Sequence, residues 1–237
     1  MRIRVTRSVI PNLFTSLNMF CGFLSIISAS KGDYNYAAWL IIVAAIFDAL
    51  DGMVARFTNS SSEIGVELDS LSDVVSFGAA PAFIIYSTHF YQFNTIGILL
   101  SSLPLIAGGY RLAKFNVQVV GFEKSFFLGL PIPTSALTIA SFILAFYDKG
   151  YAQPYSDAIL PMIFILSFLM ISNIRYESIP KFSLTGIKEK PYHFIFLIIA
   201  VLLVIFLYTE GLFYTFIFMI VIGILRHVFL FLKNRTI

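Results

Sequence analysis

Apolar runs long enough, or nearly long enough, to cross a bilayer recur along the whole chain. The 237 residues are 58% hydrophobic and 12% charged, whereas a soluble domain carries about 25% charged residues. A hydrocarbon core of about 30 Å is crossed by about 20 apolar residues in a helix. The sequence therefore predicts an all-α fold, a polytopic transmembrane bundle of about eight spans that forms one domain over residues 1–237. The predicted spans are Leu13–Ser30, Tyr36–Ala55, Asp73–Phe90, Ile96–Ala113, Ser135–Tyr147, Ala158–Ile174, His193–Tyr208 and Leu212–Leu232.

The basic residues predict the orientation of these spans. With a cytoplasmic N-terminus, 14 of the 16 Lys and Arg residues fall on the inner side, and Lys31 and Lys149 fall outside. This positive-inside bias places both termini in the cytoplasm and makes the charge a topology signal rather than a nucleic-acid footprint. The basic leader, residues 1–10, suits an anionic leaflet surface or simply helps to set the topology. The longer polar loops, where chemistry is expected, are all on the inner side: Phe57–Ser72, Lys114–Thr134 and Arg175–Tyr192.

Four aspartates collect near the inner end of two predicted spans. Asp48 and Asp51 share one helical face with Gly52 and Ala55, at positions i, i+3, i+4 and i+7. The two small residues leave room for a ligand or a neighbouring helix. Asp69 and Asp73 stand at i and i+4 at the start of the next span, so they also share a face. Because the two spans are antiparallel neighbours joined by a short loop, both acidic pairs can converge.

The negative charge of these aspartates has to be balanced. An isolated charge in a membrane already costs a few kcal/mol, and Arg56 is the single Lys or Arg between Lys31 and Arg111. Two divalent cations would balance four carboxylates, and oxygen ligands favour Mg²⁺ or Mn²⁺. Paired metals of this kind support displacement at phosphorus. The pattern therefore predicts phosphoryl-type chemistry on an anionic substrate.

The acidic stretch also matches a family signature. It reads Asp48-x2-Asp51-Gly52-x2-Ala55-Arg56-x8-Gly65-x3-Asp69-x3-Asp73. This resembles the signature of the CDP-alcohol phosphotransferase family, whose members are polytopic enzymes that join a CDP-activated lipid or alcohol to an acceptor alcohol and release CMP. The resemblance implies that Asp48, Asp51 and Asp69 are metal ligands and that Asp73 is a ligand, the general base, or both. It further implies that Gly52, Ala55 and Arg56 line the CDP site, with Arg56 near phosphate, and that Gly65 gives the loop its turn.

Other segments resemble the branch of the family that makes phosphatidylserine. They are "IPNLFTSLNMFCGFLSI" before the motif, "RLAKFNV" from Arg111, "FLGLPIPTSA" from Phe127 and "MISNIRYES" from Met170. The last segment departs from that branch because Glu177 stands where a proline is expected. The resemblance implies CDP-diacylglycerol as donor and L-serine as acceptor, with Asp73 taking the proton of the serine hydroxyl. It also implies a homodimer whose active site faces the cytoplasm, in the cell inner membrane if the source is bacterial.

Two groups of residues have less specific roles. Thr15, Asn18 and Gly22 share one face of the first span, where they contact the nucleotide or form a helix-packing surface. A zwitterionic acceptor needs a cation for its carboxylate, and candidates are Arg111, Lys114 and Arg175; each of these is equally a topology charge at a helix end. Asn116 and the segment 129–133 shape this pocket, or the two prolines mark a helix start.

Two rivals stay open at this point. Within the family, glycerol 3-phosphate or an inositol phosphate is the alternative acceptor, although a phosphorylated acceptor would favour a denser basic cluster. In another class, a cation carrier would use the aspartates as an ion site. The chain has no internal repeat of the kind that such carriers show, which disfavours the second rival.

Overall fold

The computed structural model describes residues 9–58, 62–119, 126–148, 150, 155–177 and 191–235. Within these ranges the secondary structure is helical apart from one two-stranded ladder. The helices are α1 (Val9–Ser30), α2 (Tyr34–Thr58), α3 (Glu63–Asp73), α4 (Ala80–Thr88), α5 (Asn94–Val119), α6 (Ile132–Phe146), α7 (Tyr155–Ile171) and α8 (Pro191–Arg235). A π-helical turn (Val74–Ala79) joins α3 to α4, and a 3-10 turn (Phe90–Phe93) precedes α5. The strands are β1 (Phe126–Leu128) and β2 (Arg175–Glu177).

Five helical stretches of the described chain are long and apolar enough to cross a membrane: Val9–Ser30, Tyr34–Thr58, Glu63–Thr88, Phe90–Val117 and Val201–Leu230. Two further apolar helices, Ile132–Phe146 and Ser156–Ile171, are shorter. The last two predicted spans form the two arms of α8, which meet at Tyr208, where a φ of 49° interrupts the helix. A helical membrane protein is therefore confirmed, while the count of eight spans and the inward-facing termini remain predictions.

The predicted loop Phe57–Ser72 is wrong for most of its length. α2 continues to Thr58 and α3 begins at Glu63. Ser62 caps α3, because its extended backbone (φ −129°, ψ 152°) lets its Oγ accept a hydrogen bond from Gly65 N at 3.0 Å. A serine before an acidic first turn is a common helix start, and it outweighs the polarity that favoured a loop. Gly65 is consequently helical and does not provide a turn, and Asp69 and Asp73 lie inside a helical span rather than at its start.

The other two inner loops are partly ordered as well. α5 continues to Val119, and β1 pairs with β2 in antiparallel register, with Phe127 opposite Tyr176. Gly129 follows β1 with a φ of 78°, and a Cβ there would press on the carbonyl oxygen of Met170, so this position requires glycine. Pro131 and Pro133 lie at the start of α6, which agrees with their interpretation as a helix start. The sequence did not predict these two strands, because three residues are too few to show the alternation of apolar and polar residues that marks a strand.

α6 lies in the centre of the bundle, and nearly all of its residues are buried. It packs against α2, the π turn and α8, and its Phe142 and Phe146 meet Phe213 of α8 at ring distances of 5.4 and 5.5 Å. A largely apolar helix either crosses a membrane or lies in a protein core, and α6 lies in the core together with its hydroxyl side chains. The central helix therefore anchors both the motif helix α2 and the C-terminal helix.

The helices α1 and α2 form a tight antiparallel pair. The turn between the two helices contains Gly32, whose φ is 88°. Small residues of both helices, such as Ala29, Ala37 and Ala38, are almost fully buried. Small side chains allow two helix backbones to approach closely within a membrane. This close packing brings the first half of α1 alongside the aspartates of α2.

Candidate active site

Three of the four predicted metal ligands converge. One carboxylate oxygen from each of Asp48, Asp51 and Asp69 lies within 4.8 Å of the others. The first two come from adjacent turns of α2, and Asp69 comes from α3, which returns antiparallel after the short connection. Asp51 is buried, and the other two are half-buried. The predicted helical register is thus correct, and the site lies at the α2–α3 junction.

The donor set of this cluster suits a divalent cation. The three carboxylates repel one another, and among the described residues no Lys or Arg lines the cavity beside them. Asp69 Oδ1 is buried and has no hydrogen-bond partner among the described residues. A buried carboxylate oxygen without a donor is costly unless a cation or another donor satisfies it. Oxygen-only donors are the ligands that Mg²⁺ and Mn²⁺ prefer, so the residues present fit such an ion.

Asp73 is not one of the three residues whose carboxylate oxygens converge, but it interacts electrostatically with all three. It lies one helical turn beyond Asp69, is 7% exposed, and accepts a hydrogen bond from Asn18 Nδ2 at 3.5 Å. Buried Arg111 of α5 lies within electrostatic range of it. The π turn begins at the next residue, and π turns inside helices occur frequently at functional sites. The position of Asp73 therefore permits a role different from that of the other three aspartates.

α1 supports both acidic helices through hydrogen bonds. Thr15 Oγ1 donates to Asp51 Oδ2 at 2.8 Å. Ser72 Oγ donates to the carbonyl oxygen of Thr15 at 3.0 Å, and Ser76 Oγ donates to that of Asn18 at 2.8 Å. The same two α1 residues thus contact motif aspartates with their side chains and the Asp73 helix with their carbonyl groups. The α1 face predicted from Thr15, Asn18 and Gly22 is a packing face that touches the acidic site.

Ser72 and Ser76 are site residues that the sequence analysis missed. A signal for them exists, because Asp69, Ser72, Asp73 and Ser76 fall at i, i+3, i+4 and i+7, on one helical face. Serines are common in membrane helix interfaces, so this pattern alone would not distinguish a support for the site from ordinary helix packing.

A cavity of about 120 Å³ opens beside the cluster between α1, α2 and α3. Its lining includes four residues predicted for the CDP site, Thr15, Gly52, Ala55 and Gly65. The remaining lining residues are Asp51 and Asp69 of the cluster and Pro11, Asn12, Ser62 and Val66. A Cβ at Gly65 would approach Ser62 Oγ to 3.1 Å and Asn12 Oδ1 to 3.2 Å, so the glycine keeps this space open. Asn18 and Arg56 are absent from the lining, since Asn18 is fully buried and Arg56 is exposed at the end of α2.

Of the predicted acceptor residues, Arg111 on α5 interacts electrostatically with Asp73. Arg111 and Lys114 are one turn apart on α5, and Lys114 Nζ donates to Asn173 Oδ1 at 3.2 Å. Asn116 Nδ2 donates to Ser70 Oγ at 3.0 Å, which ties the inner end of α5 to α3. Arg175 belongs to β2, and its side chain lies outside what the structure describes. The structure thus brings Arg111 near Asp73, whereas Lys114 and Asn116 contact Asn173 and Ser70.

The comparison with protein families identifies the chain. Residues 8–172 match the family described as CDP-alcohol phosphatidyltransferase. The chain belongs to this family. The matched region contains α1 to α7, and therefore all four aspartates and the cavity, whereas α8 lies beyond it.

Relatives in this CDP-alcohol phosphatidyltransferase family are similar over most of the chain. A CDP-diacylglycerol–serine O-phosphatidyltransferase of Helicobacter pylori is 38% identical over 224 residues, which cover 94% of this chain and 92% of the relative. An archaetidylserine synthase of Methanothermobacter thermautotrophicus is 42% identical over 172 residues, covering 72% and 70%. A CDP-diacylglycerol–serine O-phosphatidyltransferase of Bacillus subtilis is 34% identical over 181 residues, covering 76% of this chain and 96% of the relative.

Replacing Thr15 with valine is expected to weaken Mn²⁺ binding by this phosphatidyltransferase about 10–100-fold, the usual cost of losing a residue that orients a metal ligand. The valine has nearly the same shape but removes the hydrogen bond that holds Asp51 Oδ2. Titration with Mn²⁺, followed by electron paramagnetic resonance, measures the effect directly. Thr15→Ser keeps the hydroxyl and should bind nearly as well as the wild type. Equal Mn²⁺ affinity in the valine variant would show that Thr15 does not orient Asp51.

Proposed function

We propose that this chain transfers the phosphatidyl group of CDP-diacylglycerol to the hydroxyl of L-serine and thereby forms phosphatidylserine and CMP. The observation that carries the proposal is the convergence of Asp48, Asp51 and Asp69 beside a cavity. The choice of serine is supported by similarity to a serine O-phosphatidyltransferase over 94% of the chain. The site would face the cytoplasm in an integral membrane protein, and the active form would be a homodimer.

The aspartates have separate roles in this proposal. Asp48, Asp51 and Asp69, with Asp73 as a further ligand, would hold two divalent cations, Mg²⁺ or Mn²⁺. When bound, the cations supply positive charge that neutralises the pyrophosphate of the donor and the charge developing on CMP. Gly52, Ala55 and Gly65 leave space at the backbone for the nucleotide, and Thr15 lines the same cavity. Arg56 would be the cation for a phosphate at the exposed end of α2, and Asn18 orients Asp73.

The transfer itself requires one proton acceptor. Asp73 accepts the proton of the serine hydroxyl while the serine oxygen forms its bond to the phosphorus that carries diacylglycerol. The bond between this phosphorus and the bridging oxygen of CMP breaks, and CMP leaves with the electron pair. Asn18 holds Asp73 through the amide hydrogen bond, so that the carboxylate is oriented before the acceptor arrives. A direct in-line displacement of this kind needs no covalent enzyme intermediate.

The acceptor would be bound on the α5 side of Asp73. Arg111 is buried and close enough to Asp73 to interact with it, and Lys114 follows one turn later. A carboxylate is well suited to such cations, because charge-assisted hydrogen bonds are the stronger ones. Arg175 is a third candidate for the carboxylate, and Asn116 would shape the pocket where α5 meets α3.

The decisive test uses the purified protein with CDP-diacylglycerol, labelled L-serine and Mg²⁺ or Mn²⁺. Labelled phosphatidylserine should form, with one CMP released for each lipid. The reaction should stop when EDTA is added and should resume when the metal is restored. A parallel reaction with a CDP-activated archaeal ether lipid tests the donor, because an archaetidylserine synthase is among the relatives. Faster CMP release with glycerol 3-phosphate or an inositol phosphate would overturn serine as acceptor. Ion flux into vesicles without CMP formation would support the cation carrier instead.

A further inference from the structure

The ladder formed by β1 and β2 lies next to Asn173, the hydrogen-bond partner of Lys114. The hydrogen bonds continue beyond the two strands, because Gly129 N donates to Ile174 O at 2.9 Å and Leu130 N donates to Leu169 O at 3.0 Å. The start of α6 is therefore attached to the end of α7. Asn173, which accepts the hydrogen bond from Lys114 at 3.2 Å, lies in this connection just before β2. Any shift of β2 would move the partner of Lys114.

Tyr176 connects this ladder to the C-terminal helix. Its side chain is 5% exposed, and its ring lies against Gly223 in the second arm of α8. A Cβ at residue 223 would be 2.6 Å from Tyr176 Cδ1 and closer still to Cε1, so only glycine allows the present contact. Burial raises the pKa of the Tyr176 phenol to about 12, and its hydroxyl has no hydrogen-bond partner among the described residues. The contact is therefore one of shape rather than of hydrogen bonding.

The second arm of α8 is itself held against the bundle core. Phe213 packs between Phe142 and Phe146 of α6, and Ile220 is 4% exposed. This arm lies beyond the segment that matches the family. The second arm of α8 contacts α6 through Phe213 and Tyr176 through Gly223. It can therefore hold the ladder in a fixed position relative to the bundle core.

We propose that the second arm of α8 positions the ladder, and with it the Asn173–Lys114 contact, for binding of the acceptor amino acid. Tyr176 and Gly223 are thus positioning residues for serine, and neither touches the reacting atoms. The inference rests on the proposed function, because it assigns a role within the acceptor side of the same site. It predicts an effect on acceptor binding that is separate from binding of the CDP-activated donor, whose cavity lies between α1, α2 and α3.

The test compares Gly223→Val and Tyr176→Ala with the wild type in the serine transfer assay. Both variants should raise the KM for L-serine about 5–10-fold and leave the KM for CDP-diacylglycerol within about twofold, which marks lost acceptor binding. Gly223→Ala provides a milder clash in case the valine variant does not fold. Leu225→Val, on the same arm with an exposed side chain, and Tyr176→Phe, which keeps the ring, should both behave as wild type. In Gly223→Val the pKa of Tyr176 should fall from about 12 towards about 10. It is measured by ultraviolet absorbance as the difference between this variant and the double variant that also carries Tyr176→Phe.

The double variant Tyr176→Ala with Gly223→Leu refills the contact from the opposite side and should recover most of the serine affinity. Recovery of this kind separates positioning by packing from unspecific destabilisation. Unchanged serine KM in the single variants, or equal increases in KM for both substrates, would overturn this inference. Failure of the wild type to use serine at all would instead overturn the proposed function.

Discussion

Replacing Asp73 with asparagine is expected to lower CMP release by about 10²–10⁴-fold, the usual contribution of a general base. Asparagine has the same shape and its amide oxygen can still accept the hydrogen bond from Asn18, but it cannot take a proton from serine at neutral pH. The variant should therefore insert into the membrane and show the same thermal unfolding as the wild type. The measurement is CMP release at saturating CDP-diacylglycerol and serine, together with thermal unfolding in detergent.

The control for Asp73→Asn is Asp33→Asn, which makes the same chemical change at an exposed position in the α1–α2 turn. This control should retain wild-type turnover. Mn²⁺ titration of the Asp73 variant then separates the two roles left open for this residue. Retained Mn²⁺ binding with lost turnover identifies a proton acceptor, whereas loss of both shows that Asp73 is also needed to bind the metal. Near-normal turnover would exclude the general-base role.

Replacing Gly22 with alanine is expected to destabilise the protein by about 1–3 kcal/mol, which is the usual cost of overpacking a core. A Cβ at this position would lie 2.6 Å from the Cα of Ser76 and would press on its hydroxyl, so the π turn or α1 must move. Asn18 accepts a hydrogen bond from Ser76 at 2.8 Å through its carbonyl group and donates one to Asp73 through its side chain. A shift of Ser76 would therefore also move the partner of Asp73. Misplacement of a catalytic group by about 1 Å can cost roughly 10²-fold in rate, so turnover should fall as well.

Gly109→Ala is the matched control for this prediction. Gly109 is in α5, and a Cβ there would meet nothing within 4 Å. In an unobstructed helix this change is favourable by up to about 1 kcal/mol, so the melting temperature should hold or rise. The two alanine variants therefore differ in close packing and not in helix propensity. A melting temperature of the Gly22 variant equal to that of the wild type would show that α1 and the π turn tolerate separation.

Helical periodicity explains why part of the site could be predicted. Positions i, i+3 and i+4 share a face whatever the helix packs against, so the spacing of Asp48 and Asp51, and that of Asp69 and Asp73, was sufficient to pair them. The short connection between the two helices then brought three carboxylate oxygens within 4.8 Å. The family signature depends on the same spacings, which is why it was legible before any tertiary structure.

Other features of the site depend on distances between helices. The hydrogen bond of Asp73 with Asn18 and its electrostatic interaction with Arg111 depend on how α1 and α5 are placed relative to α3. The start of α3 was missed although Ser62 carries a capping signal, because a polar stretch between two apolar runs also suits a loop. The ladder was missed because its strands are only three residues long.

The linear order of apolar, acidic and small residues was enough to predict a helical membrane protein and its acidic motif, because these properties are local and repeat with the period of a helix. The expected reaction came from the family signature within that motif. The tertiary structure alone decided that Thr15 supports Asp51, that Ser72 and Ser76 tie α1 to the Asp73 helix, and that Tyr176 meets Gly223. Those contacts join residues far apart in the chain, and each depends on a close approach of backbones that no local pattern encodes.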